Sequence, residues 1–164
     1  MALAVTHVIG AIVILDIIRH YFFSKKTFPR YLLIIGGIVA LAPDLDIPLA
    51  WIINLISSSK IYIHGTFTHS FMWVFLFVGI GLIFHHYKNM RWAKIFYVIA
   101  AGWFIHLGFD WIFGDYKTLF WPFATPEFIF PVFKLSDYST RIDAVILILW
   151  LVHEELHHKI KDYF

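Results

Sequence analysis

Apolar and polar residues fall along this chain in long blocks. Ala2 to Ile18 is apolar apart from Thr6, His7 and Asp16, a length suited to crossing a bilayer as a helix. A short basic loop follows, with Arg19, His20, Lys25, Lys26 and Arg30. The next apolar run, Tyr31 to Ile56, is interrupted by Pro43-Asp44-Leu45-Asp46-Ile47-Pro48. Its first part, Tyr31 to Ala42, is too short to cross alone, and Pro43 disfavours helix at the residue before it. The pattern therefore predicts a broken helix. Irregular backbone at membrane depth survives only where protein or a watery cavity satisfies it, so the break also predicts a cavity. Ser57 to Phe67 reads as a polar connection and Thr68 to Phe84 as another span. His85, His86, Lys88, Arg91 and Lys94 form a second basic patch before the apolar run Ile95 to Phe113. Gly114 to Thr140 is a long aromatic and proline-rich loop around Trp121-Pro122-Phe123, and a last helix ends in a polar tail. The expected fold is an all-α integral membrane protein with a single polytopic domain. It has about five transmembrane helices, at about 2–18, 31–56 (broken), 68–84, 95–113 and 141–156.

Composition agrees. The 164 residues are 60% hydrophobic, 20% aromatic and 15% charged, with mean hydropathy +0.76, whereas soluble domains carry roughly 25% charged residues. There are no cysteines, which excludes disulfides and thiolate metal sites. A net charge of +2 gives no nucleic-acid footprint. The first apolar block lacks a preceding basic region and reads as a mature helix rather than a cleaved signal. Lys and Arg serve better as topology markers. Arg19, Lys25, Lys26, Arg30, Lys88, Arg91, Lys94, Lys159 and Lys161 fall on one side of the expected spans, and Lys60, Lys117, Lys134 and Arg141 on the other. That distribution predicts an N-terminus outside and a C-terminus in the cytoplasm.

On this topology His7, Asp44, Asp46, His64, His69, His106 and Asp110 all fall at one depth, near the outer surface. Ionisable residues within spans are expensive and mark functional sites. His106 and Asp110 are four apart and project from one helix face. His64 and His69 flank a turn leading into a helix that Thr68 can cap. Nitrogen and carboxylate ligands without sulfur suit a divalent ion such as Zn, Mn, Fe or Mg. Seven candidates are enough for one ion or a pair, with a bridging carboxylate. His64 and Asp46 are the candidates for acid/base work, His64 also for a supporting role behind the ligands. His20, His85, His86, His153, His157 and His158 sit among basic residues and read as interfacial packing groups. Asp16 reads as a partner of Arg19. Trp121 and Phe123 read as interfacial anchors that can also contact lipid.

Thr6-His7, Pro43-Asp44-Leu45-Asp46, His64 with Thr68-His69-Ser70, His106-x-x-x-Asp110 and Leu119-Phe120-Trp121-Pro122-Phe123 follow one another in that order. Over roughly residues 1–125 the pattern resembles the YdjM-like membrane-bound metal-dependent hydrolases, a family described as LexA-binding and inner-membrane-associated. The resemblance implies a class of reaction rather than a substrate. One departure stands out: the family's His-Arg-Gly-x-Thr-His-Ser is here His64-Gly65-Thr66-Phe67-Thr68-His69-Ser70, without the arginine. Nothing in the sequence points to a LexA surface.

The expectation is a membrane-embedded, metal-dependent hydrolase acting on a lipid or lipid-linked (phospho)ester, with the bilayer as its other partner. Two rival classes use the same residues. One is a transporter of metal ions or small solutes, since broken helices with polar groups occur there too. The other is a non-catalytic adaptor whose metal only staples the helices.

Overall fold

The computed structural model describes residues 3–23, 27–57, 60–114, 118–123 and 135–157. Among them all regular structure is helical: α1 (Ala4–Phe22), α2 (Tyr31–Val39), α3 (Asp46–Ile56), α4 (Phe71–His86), α5 (Met90–Ile112) and α6 (Ser139–His157), with 3₁₀ turns at Ala42–Leu45, Phe67–His69 and Ser136–Tyr138. Lys25, Lys26, Lys117, Lys134, Lys159, Lys161 and His158, invoked above as topology markers or interfacial groups, lie outside the described residues.

The expected break is present. α2 stops one turn before Pro43, and the chain resumes as α3 after a bend of 44°. α1 and α5 are long and apolar enough to cross a membrane, and α2 with α3 make a third such span if the bent pair counts as one. Of the five expected crossings, two or three thus meet length and apolarity among the described residues. The 16 residues of α4 rise only about 24 Å, against a hydrocarbon core of about 30 Å. α6 carries Arg141, Asp143, Glu154 and Glu155.

The boundaries also shift. α1 runs past the expected end at Ile18 because the Arg19 guanidinium turns back, donating to the Phe28 carbonyl at 2.8 Å and pairing with Asp16 at 3.0 Å. The pairing of Asp16 with Arg19 is the one the sequence suggests. α4 begins at Phe71 rather than Thr68, and its cap is Ser70, whose Oγ accepts from the Met72 N–H. The Thr68 hydroxyl is used elsewhere.

α1, α2 and α5 form the centre, α4 packs along α5, and α6 packs along α1. Leu15, Leu32, Leu33 and Val98 join these three helices in one buried cluster, and Trp103, Leu107 and Leu119 form a second against α4. The outward faces stay apolar, with Phe75, Leu82, Ile83, Phe104 and Leu149 exposed. A soluble monomer rarely shows so much contiguous apolar surface; hydrocarbon accommodates it.

The tightest crossing is α2 on α5. A Cβ on Gly102 would lie 2.6 Å from the Gly36 carbonyl oxygen, so the two backbones meet only because Gly102 has no side chain. One turn further along each helix stand Ala40 and His106.

Candidate metal centre

Elements far apart in sequence converge beside that crossing. α1 brings His7, the turn after α2 brings Asp44, and Asp46 opens α3. His64 and His69 come from the segment before α4, and α5 ends with His106 and Asp110. All seven sequence candidates fall in one connected cluster.

Four of them surround a common point. Asp44, His69, His106 and Asp110 each offer an atom within 4.8 Å of the others. His69 Nε2 lies 3.4 Å from Asp44 Oδ1 and 3.5 Å from Asp110 Oδ2. His106 Nε2 lies 3.7 Å and 3.3 Å from the same two oxygens. The two Nε2 atoms are 3.2 Å apart. His7 stacks on His106 with ring centroids 3.9 Å apart and brings Nε2 to 3.5 Å from Asp110 Oδ1.

The outer hydrogen bonds fix the histidine tautomers. His106 Nδ1 is 2.7 Å from the Ala40 carbonyl, which only accepts, so the ring proton sits on Nδ1. The Thr68 hydroxyl donates its one proton to Asp46 Oδ2 at 2.7 Å, and its oxygen then accepts from His69 Nδ1 at 3.0 Å. With the rings neutral, both Nε2 atoms direct lone pairs at each other and at two carboxylates. Such a buried cluster of acceptors is repulsive without a cation among them. Neither ring nitrogen of His7 nor Asp44 Oδ1 has a hydrogen-bond partner among the described residues. The donor set of two imidazoles and two carboxylates, with His7 beside it, fits a divalent ion.

Asp46, His64 and His69 form a second group able to hold an ion, sharing His69 with the first. Here, though, the acceptors have donors. Asp46 Oδ1 accepts from His64 Nδ1 at 2.8 Å, and Oδ2 accepts from the Gly65 N–H at 3.1 Å as well as from Thr68. His69 Nδ1 lies 3.3 Å from the same Oδ2. This carboxylate behind a ligand histidine matches the arrangement that orients metal-bound imidazoles. Gly65 reaches it with φ 77°, a left-handed conformation that glycine adopts without strain.

His7, His69, His106 and Asp110 are fully buried, while the Asp44 and His64 side chains keep 18% and 30% exposure. These two mark the mouth of the site. Beside it, residues 118–123 are tied to the histidine segment. Thr118 donates its N–H to the Gly65 carbonyl, Phe71 donates its N–H to Leu119, and the Ser70 hydroxyl reaches the Leu119 and Trp121 carbonyls. Trp121 packs edge-on against Phe67 and, with Phe123, stays exposed.

Several contributors escape a reading of residue types. The Ala40 carbonyl and the Gly65 N–H are backbone groups with no sequence signature. Asp143 is a third. Leu3 cannot cap α1, and Asp143 of α6 supplies the acceptor, taking the Thr6 N–H at 3.0 Å together with its hydroxyl. An acid at the start of an apolar helix is the signal that points to it. Three other histidines have partners elsewhere: His20 packs on Tyr21, His85 lies beside Tyr97, and His153 beside Glu154.

A family model described as YdjM inner membrane protein matches residues 1–160. No curated protein and no solved structure matches the chain. With nearly its whole length covered, the chain belongs to the YdjM inner membrane protein family.

Proposed function

We propose that this YdjM-family membrane protein is a metal-dependent hydrolase that cleaves an ester bond, preferably a phosphoester, in a lipid or lipid-linked substrate. The observation that carries the reading is the opposed pair of His69 and His106 Nε2 atoms, 3.2 Å apart between Asp44 and Asp110, with both Nδ1 protons committed elsewhere. These four residues would hold one ion, zinc or manganese by donor type, with His7 as a further ligand or a support for Asp110. When bound, a divalent ion there supplies Lewis acidity toward a phosphoryl or carbonyl oxygen and acidifies water.

The chain's own residues supply the rest. Asp46 holds the His69 ring through Thr68 and orients His64 by accepting its Nδ1 proton, which leaves Nε2 as the basic nitrogen of His64. Half-exposed at the mouth, His64 takes the proton of the attacking water. The water oxygen bonds to phosphorus or acyl carbon, the ester bond breaks, and His64 returns the proton to the leaving alcohol. Trp121, Phe123 and Phe67 form an apolar wall along which a lipid chain reaches the site from within the bilayer. The site lies under the outer face, with the N-terminus outside and five crossings of a single domain, the shorter helices included. Carrier sites lie near the bilayer midplane, whereas this cluster gathers near the start of α1 and the end of α5.

The test is plasma mass spectrometry of metal in detergent-purified wild type, Asp110→Ala and Asp46→Asn, followed by turnover of phospholipid and lipid-phosphate substrates. Support is one equivalent in wild type, loss in Asp110→Ala, and metal-dependent release of phosphate or alcohol. A protein that takes up no metal after repletion, or a metal-loaded protein that cleaves no ester but passes ions into liposomes, overturns it.

A further inference from the structure

A second feature lies between α1 and α6, away from the metal centre. Asp143 marks the metal end of α6, and Glu154 follows it by eleven residues, about 16 Å along the helix. At that far end a cavity of about 420 Å³ opens between the two helices, within the roughly 300–1,000 Å³ typical of small-ligand pockets. Its walls are apolar, with Val13 and Ile17 from α1 and Leu149 and Trp150 from α6, and its polar end is Asp16, His153 and Glu154. Val13, Ile17 and Leu149 are exposed, so the groove opens sideways toward the bilayer.

Glu154 gives this groove its chemistry. The residue is 3% exposed, with Oε1 3.4 Å from His153 Nδ1 and Oε2 buried without a hydrogen-bond partner among the described residues. On α1, Arg19 is taken by Asp16 and the Phe28 carbonyl. A buried carboxylate is costly unless a donor or a cation meets it.

We propose that the groove between α1 and α6 binds an amphiphile with a primary ammonium head, its N–H groups on Glu154 and its chain along Val13, Ile17, Leu149 and Trp150. The ammonium supplies the charge and the donor that Glu154 Oε2 lacks among the described residues, and the apolar walls take the hydrocarbon. A hydroxyl head lacks the charge, and a quaternary ammonium lacks the donors.

Calorimetric titration of the full chain in a non-ionic detergent, with dodecylamine and with dodecanol, tests this. Wild type should bind dodecylamine one-to-one and at least tenfold more tightly than dodecanol. Glu154→Gln should lose that preference, and Val13→Trp, which fills the groove and leaves the acid in place, should lose binding of both. Thermal unfolding in the same detergent reports folding, and Val13→Trp decides if Glu154→Gln misfolds. Native mass spectrometry with phosphatidylethanolamine and phosphatidylcholine identifies the source. Selective retention of the former makes it a membrane lipid, whereas dodecylamine binding without such retention makes it a free amine. Equal affinity for amine and alcohol, unchanged binding by Glu154→Gln, or no binding of either probe overturns the proposal, whatever the fate of the hydrolase reading.

Discussion

Gly102→Ala tests whether the α2–α5 crossing sets the metal centre. The new Cβ would lie 2.6 Å from the Gly36 carbonyl oxygen, and ordinary contact begins at 3.4 Å. The obstruction is backbone, so no rotamer relieves it, and the helices must separate by about 0.8 Å locally. One turn along, His106 Nδ1 is 2.7 Å from the Ala40 carbonyl. The same separation lengthens that bond to about 3.5 Å, beyond a useful hydrogen bond. Two stability effects oppose: alanine gains up to about 1 kcal/mol in helix propensity, and overpacking costs about 1–3 kcal/mol. Net destabilisation is then modest. Metal affinity should fall more, by about 10–100-fold, as for loss of other groups that orient a ligand histidine. Competition with a chelator, read by plasma mass spectrometry, measures the affinity, and thermal unfolding in detergent measures stability. Gly108→Ala on the same helix, where an added Cβ meets nothing within 4 Å, is the control. If Gly102→Ala keeps wild-type affinity, or Gly108→Ala loses as much, the crossing does not position His106.

Other substitutions separate the remaining parts. Asp46→Asn replaces an acceptor-only carboxylate with an amide that cannot satisfy all its donors at once, and affinity for the metal should drop about 10–100-fold, read by the same competition. Gly65→Ala forces a side chain into φ 77° at a cost of about 1–3 kcal/mol and lowers the unfolding midpoint; an unchanged midpoint would show that this turn relaxes freely. Asp143→Ala removes the acceptor at the start of α1 and should cost about 0.5–2 kcal/mol, with hydrogen exchange rising at the Thr6 and His7 amides and not in α5.

Much of the fold and nearly all of the site could be read from residue types. The long apolar blocks, the break at Pro43-Asp44-Leu45-Asp46 and the candidacy of His7, His106 and Asp110, ionisable residues inside apolar helices, follow from one physical fact. Hydrocarbon makes each charge and each unpaired backbone group expensive, so those that remain are conspicuous. Boundaries were less legible. The side chain that ends or caps a helix is chosen by its tertiary partners: the Thr68 oxygen accepts from His69 Nδ1 and its proton goes to Asp46, and Ser70 caps α4 instead.

The sequence alone determined that this is a helical membrane protein with a thiol-free set of His and Asp residues within and beside its apolar segments. Only the tertiary structure decided what each member of the cluster does. Residue type cannot tell Asp44, which faces the two Nε2 atoms, from Asp46, whose oxygens are met by Gly65, Thr68 and His64. Nor can it show that Gly36 and Gly102 bring the Ala40 carbonyl to His106. Those roles depend on which donors and acceptors come within about 3 Å of a side chain. That is fixed by contacts between residues from about twenty to more than sixty positions apart, where the sequence carries no local signal.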